Sequence, residues 1–400
     1  MRRLALVIAL GLAAAAPARG QGLPAEPISL GDGRLVIGAD VTATVAPTDP
    51  GFFNYTDYEY SALRNFRLGV AVELRPSTRL QVLSEIRLDG DRLRPYAVFA
   101  RIRPWPSRAF DIQLGRVPPT FGAFGHRSYG ADSLLPGQPL AYQYLTSLRT
   151  DALPRTADDL LRMRGRGWLA SYPAGNRAAA PGVPIVNTTR RDAGLQLHAV
   201  QGPFEWIAAV TTGTLSNPRL DDDNDGRQVA GRVVLRPGPA VAIGVSAARG
   251  AYLSRSLAGV LPTGTSVESA TQRALGLDGE YSAGHFLSRA EVIWSRWDMP
   301  TLGAPAIDRP LGAVAVLGEA RYRLWPGVYA AARAEHLGFS RIRGRAGLET
   351  WDAPVTRVEL GGGWSPVRNV TLKASWQHNR RDGGRVRRLS LVSAQLFYWF

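Results

Sequence analysis

Apolar residues recur at every second position in short stretches along the chain, the period of a strand with one apolar and one polar face. Phe66, Leu68, Val70, Val72 and Leu74 alternate with Asn65, Arg67, Gly69, Ala71 and Glu73. Leu80, Val82, Ser84, Ile86 and Leu88 repeat the pattern. Tyr96, Val98, Ala100 and Ile102 continue it, with Glu85, Arg87, Arg101 and Arg103 on the other parity. Alternation alone fits a soluble sandwich, whose apolar faces turn inward, and equally a membrane barrel, whose apolar faces turn out.

Three features favour the barrel. Connections alternate between short and long, as tight turns on one side of a membrane and exposed loops on the other would require. Short ones fall at Pro76-Ser77, Gly202-Pro203, Pro237-Gly238-Pro239, Ala283-Gly284-His285, Trp325-Pro326-Gly327 and Arg368-Asn369, and long ones at 46–63, 215–226, 253–271, 300–310 and 341–355. Trp206, Trp294, Tyr322, Trp364, Trp376 and Tyr398 share the apolar parity, several near strand ends, where a membrane-interface girdle belongs. Finally, Val392, Ala394, Leu396, Tyr398 and Phe400 form one apolar row that ends in phenylalanine. Leu396, Tyr398 and Phe400 resemble the signal by which outer-membrane barrels are recognised for assembly.

Counting by parity gives sixteen strands, at 34–45, 64–75, 79–88, 94–103, 109–116, 191–200, 204–213, 227–236, 240–250, 272–282, 286–297, 312–324, 328–339, 356–365, 370–380 and 389–400. A further strand at 167–172 would turn the short Gly202-Pro203 connection outward and the long acidic 221–226 loop inward. Residues 117–190 are therefore expected to be one connection, far beyond ordinary loop length and so a functional loop, with a short helix near 157–163. The expected fold is all-β: a transmembrane antiparallel 16-stranded barrel over 34–400 with one long infolded loop.

The N-terminus adds an address. Arg2 and Arg3 precede an apolar run at 4–12 and a small-residue stretch at 13–20, with cleavage expected after Ala18 or Gly20. That is the pattern of a secretory signal peptide over 1–20, which leaves 21–33 as a periplasmic segment and implies export to the bacterial outer membrane. No later stretch holds the 18 or more apolar residues of a spanning helix. The chain has no cysteine, which removes disulfides and thiolate metal sites from consideration, and its formal net charge is +15. The positive charge is arginine apart from Lys373 and is scattered rather than massed, which argues against nucleic-acid binding.

The order of elements resembles the phosphate-selective porin O and P family and related general outer-membrane porins. The resemblance lies in Gly115-Arg116-Val117-Pro118-Pro119-Thr120-Phe121-Gly122 at the entry to the long loop, and in Arg191-Asp192-Ala193-Gly194-Leu195-Gln196-Leu197 at its exit. Gly202-Pro203-Phe204-Glu205, Thr212-Gly213-Thr214, Gln228-Val229-Ala230-Gly231-Arg232 and the final Phe400 extend it. Each motif is short, but the resemblance in order of elements covers most of the mature chain. The resemblance implies a diffusion channel for small solutes whose long loop narrows the lumen. The single lysine departs from a lysine-lined anion channel.

The polar parity gathers Arg67, Arg87, Arg101, Arg103, Arg232, Arg289, Arg321, Arg323, Arg333, Arg357 and Lys373 against Glu73, Glu85, Asp111, Asp278, Glu280, Glu291, Glu319, Glu335 and Glu359. Facing one another, these charges would set a transverse field that favours anions. Paired across neighbouring strands, they would only hold the wall in shape. The long loop adds Arg116, His126, Arg127, Tyr129, Arg149, Arg155, Arg162, Arg164 and Arg166, with Asp132, Asp151, Asp158 and Asp159. If it folds inward, its arginines line the narrowest place, and if it caps the outside they form a solvated face.

Asp221, Asp223, Asp225 and Gly226 match the first half of a calcium loop, but Arg232 stands where the bidentate glutamate belongs. No catalytic motif is present, and the histidines are scattered, so no enzyme, metal or cofactor is expected. The expected function is an outer-membrane porin with modest anion preference. The alternatives are a closed structural or adhesive barrel and, less favoured, a barrel enzyme. Expected partners are outer-membrane lipid, the barrel-assembly machinery and small anionic or neutral solutes, with a homotrimer among the open oligomeric states.

Overall fold

The structure is a computed structural model that describes residues 24, 26–55, 61–89, 92–127, 130–220 and 222–400. The leader expected at 1–20 lies outside the described residues. Sixteen antiparallel strands form the wall. The first eight are β1 Leu35–Val45, β2 Phe66–Leu74, β3 Leu80–Asp89, β4 Arg92–Ile102, β5 Phe110–Val117, β6 Asp192–Gln201, β7 Phe204–Thr211 and β8 Gln228–Gly238. The second eight are β9 Val241–Ala251, β10 Thr271–Ala283, β11 Phe286–Trp297, β12 Leu311–Trp325, β13 Val328–Phe339, β14 Val355–Trp364, β15 Val370–Arg381 and β16 Arg388–Trp399.

Each strand pairs with its chain neighbours, and β16 returns to β1 through the register Asp40↔Trp399 to Val45↔Ala394. Closure satisfies the backbone groups of what would otherwise be two edges, as a wall in hydrocarbon requires. Past that register, Phe400 continues the seam by exchanging backbone bonds with Ala39 at 2.9 and 3.1 Å. A three-residue strand, Ile28–Leu30, then folds back on the start of β1.

The faces are those of a barrel in lipid rather than of a sandwich. Leu360 is 49% exposed while its neighbour Glu359 is fully buried. Val245, Leu275, Trp294, Tyr322, Trp364, Trp376 and Val392 are likewise exposed, whereas Arg232, Glu291, Glu319, Arg333 and Arg357 are buried. Exposed large apolar residues beside buried charges invert the soluble arrangement. All the long connections emerge at one end of the wall, as the parity argument requires. Residues 118–191 form one connection, carrying helix α1 Leu140–Gln143 and helix α2 Ala157–Leu161. Residues Gly167–Leu169 make a turn of 3-10 helix, not a spanning strand.

The structure corrects one parity assignment. Opposite Glu85 and Ile86 the partners on β4 are Ala97 and Pro95, so Tyr96 is the extra residue of a β-bulge. The bulge turns Tyr96 from the lipid face, where simple alternation puts it, into the interior, where it is 4% exposed.

Candidate functional site

The long connection leaves β5 through two glycines with backbones that other residues resist. Gly115 has φ +127°, and a Cβ there would meet the Val98 carbonyl at 2.5 Å. Gly122 has φ +75°, and its Cβ would meet the Tyr142 hydroxyl. Between and beyond them, Phe121, Phe124, Leu140, Tyr142, Leu153 and Ile185 pack against Ala230, Ala248, Ala274, Ile293, Ala313 and Leu337 of β8–β13. The alanines on that wall leave the volume into which the connection folds. It enters the barrel and does not cap it from outside.

The wall's buried charges hold the connection by its backbone. Arg333 donates to Gly137 O at 2.6 Å and to Glu319 at 2.9 and 3.0 Å. Arg357 donates to Gln138 O and Phe53 O at 2.9 and 2.8 Å, and Lys373 to Ser133 O at 2.7 Å. Acids take the amides. Glu335 accepts from Leu140 N at 2.7 Å, at the start of α1, and Glu291 accepts from Ala123 N at 2.8 Å and from the Tyr142 hydroxyl at 2.7 Å. Burial, and then the Glu291 charge, push the Tyr142 phenol well above its ordinary range, so it keeps the proton it donates. Bonds to charged groups contribute about 1.5–3 kcal/mol each, so this set fixes the connection's path.

At the outer end Asp352 plays the same part for the next turn, accepting from Ser147 N at 2.6 Å and Gly165 N at 2.7 Å. Burial raises its carboxyl above the ordinary range, and these amides oppose that rise. Arg381 donates to Gly51 O at 3.1 Å, which ties the 46–65 loop to β15.

On the β1–β5 side the connection leaves space. A cavity of about 420 Å³ lies against Val36, Gly38, Ala71, Leu83, Ala97 and Phe99, with Glu73 and Glu85 among them and with Pro118, Pro119 and Arg191 from the connection's two ends. A smaller polar cavity of about 40 Å³ lies between Arg67, Arg87, Asp89, Arg94, Tyr96, Arg116 and Thr188. Tyr96 lines the smaller one, and its ring lies between Arg87 of that wall and Arg191 of the larger cavity's wall. The Arg87 guanidinium lies 3.4 Å and that of Arg191 4.6 Å from the centre of its ring, and its hydroxyl donates to Thr188 O at 2.8 Å. Arg87 also pairs with Glu85 at 2.5 Å.

The expected arginines therefore divide. Arg67, Arg87 and Arg116 line the smaller cavity, where Arg67 faces Asp89 at 3.6 Å and Arg116 bonds to Arg191 O at 3.2 Å. Arg101 lines neither, reaching Gln81 at 3.3 Å with its guanidinium 5.9 Å from the ring of Phe99 in the larger cavity's wall. Arg232 is held bidentate by Asp278 and Arg289 by Glu280 and Glu319, both on the filled side. Arg103 pairs with Asp111 at 3.0 Å, Arg321 lies 5.7 Å from the Tyr329 ring, and Arg323 is exposed near the end of β12. Arg149 is buried against Asp151 and two loop carbonyls. Arg155 and Arg162 are exposed at α2. The side chains of His126 and Arg127, and all of Tyr129, lie outside the described residues.

Sequence reasoning missed Arg94 and Tyr96 as members of the cavity wall. Leu396 faces outward at 44% exposed, and Tyr398 and Phe400 continue its row. In the acidic loop, Asp222 pairs with Arg227, Asp223 with Arg219 and Asp225 with Arg255, while Asp221 lies outside the described residues.

No protein-family model matches the chain, and no curated protein matches it. Solved structures do match in fold. OmpT expressed in the outer membrane of Vibrio cholerae superposes with a TM-score of 0.55 at 11% identity, covering 93% of this chain and 100% of that one. The outer membrane channel DcaP of Acinetobacter baumannii gives 0.53 at 10% identity, covering 94% and 100%. An anion-selective porin from Comamonas acidovorans gives 0.51 at 10% identity, covering 92% and 99%. At these identities the likeness establishes the fold, a closed 16-stranded porin-like barrel.

Proposed function

We propose that the chain is an outer-membrane porin, an aqueous diffusion channel for small solutes with modest anion preference and no catalytic role. The observation that carries this reading is the asymmetric filling of an inside-out barrel. The connection seals the β8–β13 side with apolar packing and leaves charged cavities along β1–β5. In the walls of those cavities Arg67, Arg87, Arg94, Arg116 and Arg191 outnumber Glu73, Glu85 and Asp89 among the described side chains. Fixed charge in a narrow place acts more strongly than at a wide mouth, because screening salt is scarce there. The selectivity is assigned to Arg67, Arg87, Arg101 and Arg116 ahead of Arg149, Arg155 and Arg162, which sit in the outer part of the connection.

The channel and anion-selective porin of like fold support the same reading. A solved trimer form of the Vibrio cholerae protein supports a homotrimer. The short motifs at Gly115–Gly122 and at Arg191–Leu197 keep the phosphate-selective porin O and P family as the finer assignment. Export by residues 1–20, a periplasmic segment at 21–33, the barrel from 34 with 117–190 as its constriction loop, and assembly directed by Leu396, Tyr398 and Phe400 complete the proposal.

The apolar cluster inside the barrel favours a second reading, a closed structural barrel. Planar-bilayer recordings separate the two. Stepwise conductance, with a salt-gradient reversal potential of anion sign that moves toward cations in Arg67→Gln/Arg101→Gln, is expected. An inserted barrel without conductance steps would establish the closed barrel, and cation selectivity in the parent would refute the anion preference.

A further inference from the structure

We infer that the cavity against β1–β4 is a subsite for small organic anions with an apolar body, of the class of aromatic monocarboxylates. The inference rests on the channel reading and names the solute for which its lumen is shaped. Inward positions of a water-filled barrel are ordinarily polar, yet here Val36, Ala71, Leu83, Ala97 and Phe99 line one side, and the ring carbons of Pro118 and Pro119 face them from the connection. The strands dictate that face: Val36, Glu73, Leu83 and Phe99 form one row across β1–β4 and Gly38, Ala71, Glu85 and Ala97 the next, so Leu83 lies beside Phe99 with Val36 beyond Glu73.

At about 420 Å³ the cavity falls in the range of small-molecule sites, far above the space one ordered water needs. Among the described lining residues Arg191 is the one cation, beside Glu73 and Glu85. Arg191 lines the cavity and reaches the Tyr96 ring, whose other guanidinium neighbour, Arg87, lines the smaller polar cavity with Arg67 and Arg94. A carboxylate placed at Arg191 puts a ring of its own against Leu83, Phe99 and Pro118. Glu73 stands between Val36 and Leu83, and Glu85 between Ala71 and Ala97. Each is paired with its own arginine, Arg75 or Arg87, and together they oppose a dianion and leave a monoanion as the charge that fits. A solute with charge at one end and an apolar body at the other satisfies both parts, whereas inorganic phosphate or acetate satisfies only the first.

The test uses the whole barrel in planar bilayers with benzoate, acetate and benzyl alcohol as probes. Benzoate is expected to interrupt the chloride current at roughly tenfold lower concentration than acetate, the gain for covering about half a phenyl ring, and benzyl alcohol to do so far less than benzoate. Leu83→Asn, and separately the isosteric Val36→Thr, should bring benzoate toward acetate, while Arg191→Gln should weaken both acids together. The chloride steps of each variant report that it has folded and inserted. Absence of chloride steps in the parent refutes the channel reading. Chloride steps with equal block by benzoate and acetate, or a benzoate preference untouched by Leu83→Asn and Val36→Thr, overturn the subsite and leave the channel standing.

Discussion

Arg333→Met tests whether buried wall charges latch the connection. Arg333 is 1% exposed and makes three kinds of contact: Glu319 at 2.9 and 3.0 Å, Glu359 at 3.4 Å and Gly137 O at 2.6 Å. Methionine fills similar space and removes all of them. Breaking a buried ion pair by deleting one partner costs about 3–5 kcal/mol, because the remaining charge is stranded. Here Glu319 keeps Arg289 at 3.3 Å and Glu359 keeps the Ser375 hydroxyl at 2.6 Å, so the lower end applies, about 3 kcal/mol. That energy falls on the connection near Gly137 before it falls on the closed strand ladder. Local opening should therefore rise roughly a hundredfold. The natural absence of cysteine gives a clean reporter. Ala141→Cys, buried in α1, should react with a thiol reagent about that much faster in the Arg333→Met background. Adding Glu319→Gln and Glu359→Gln should restore most of the protection, since no charge is then stranded. Equal labelling rates with and without Arg333, or a triple variant no better than the single one, would refute the latch.

Two further outcomes follow from the wall. Leu360→Arg, on the lipid face, should cost about 2–4 kcal/mol if it lies near the bilayer midplane, read by urea unfolding in lipid vesicles; no loss of stability would contradict the face assignment. Phe400→Asp interrupts the outward apolar row at the seam with Ala39 and should lower the membrane-inserted yield in favour of aggregate, and equal yields for variant and parent would remove that role.

The fold was legible because its period is unambiguous. Strand existence and parity follow from alternation, and the strand number follows from requiring long connections on one side. Both survive errors of a residue or two at strand ends, which is why the wall from β1 to β16 matches the expectation closely. Direction of the faces was not contained in the alternation. It came from the aromatic row, the terminal row and the leader pattern, and the structure supplies the direct observation in pairs such as exposed Leu360 beside buried Glu359.

The site was legible only in part, for two physical reasons. First, parity places a charge in the lumen but does not say what it meets there. The near balance of basic and acidic residues on the inward face arises because Arg333, Arg357 and Lys373 bond to loop carbonyls and Glu291 and Glu335 to loop amides. These residues hold the connection, and the side that carries the cavities is defined by where the connection is not held. Second, alternation fails at a bulge. Tyr96 belongs to the lipid face by counting and to the lumen by structure, and its ring lies against Arg87 of the smaller cavity and Arg191 of the larger. A cue was present: Pro95 cannot donate to the ladder, so a proline inside an otherwise regular strand marks an edge or a bulge. In a closed barrel there is no edge, and the bulge is the reading that remains. Applied to β4, that reasoning turns Tyr96 inward and places an aromatic ring beside Arg87, one of the arginines on which the proposed anion preference rests.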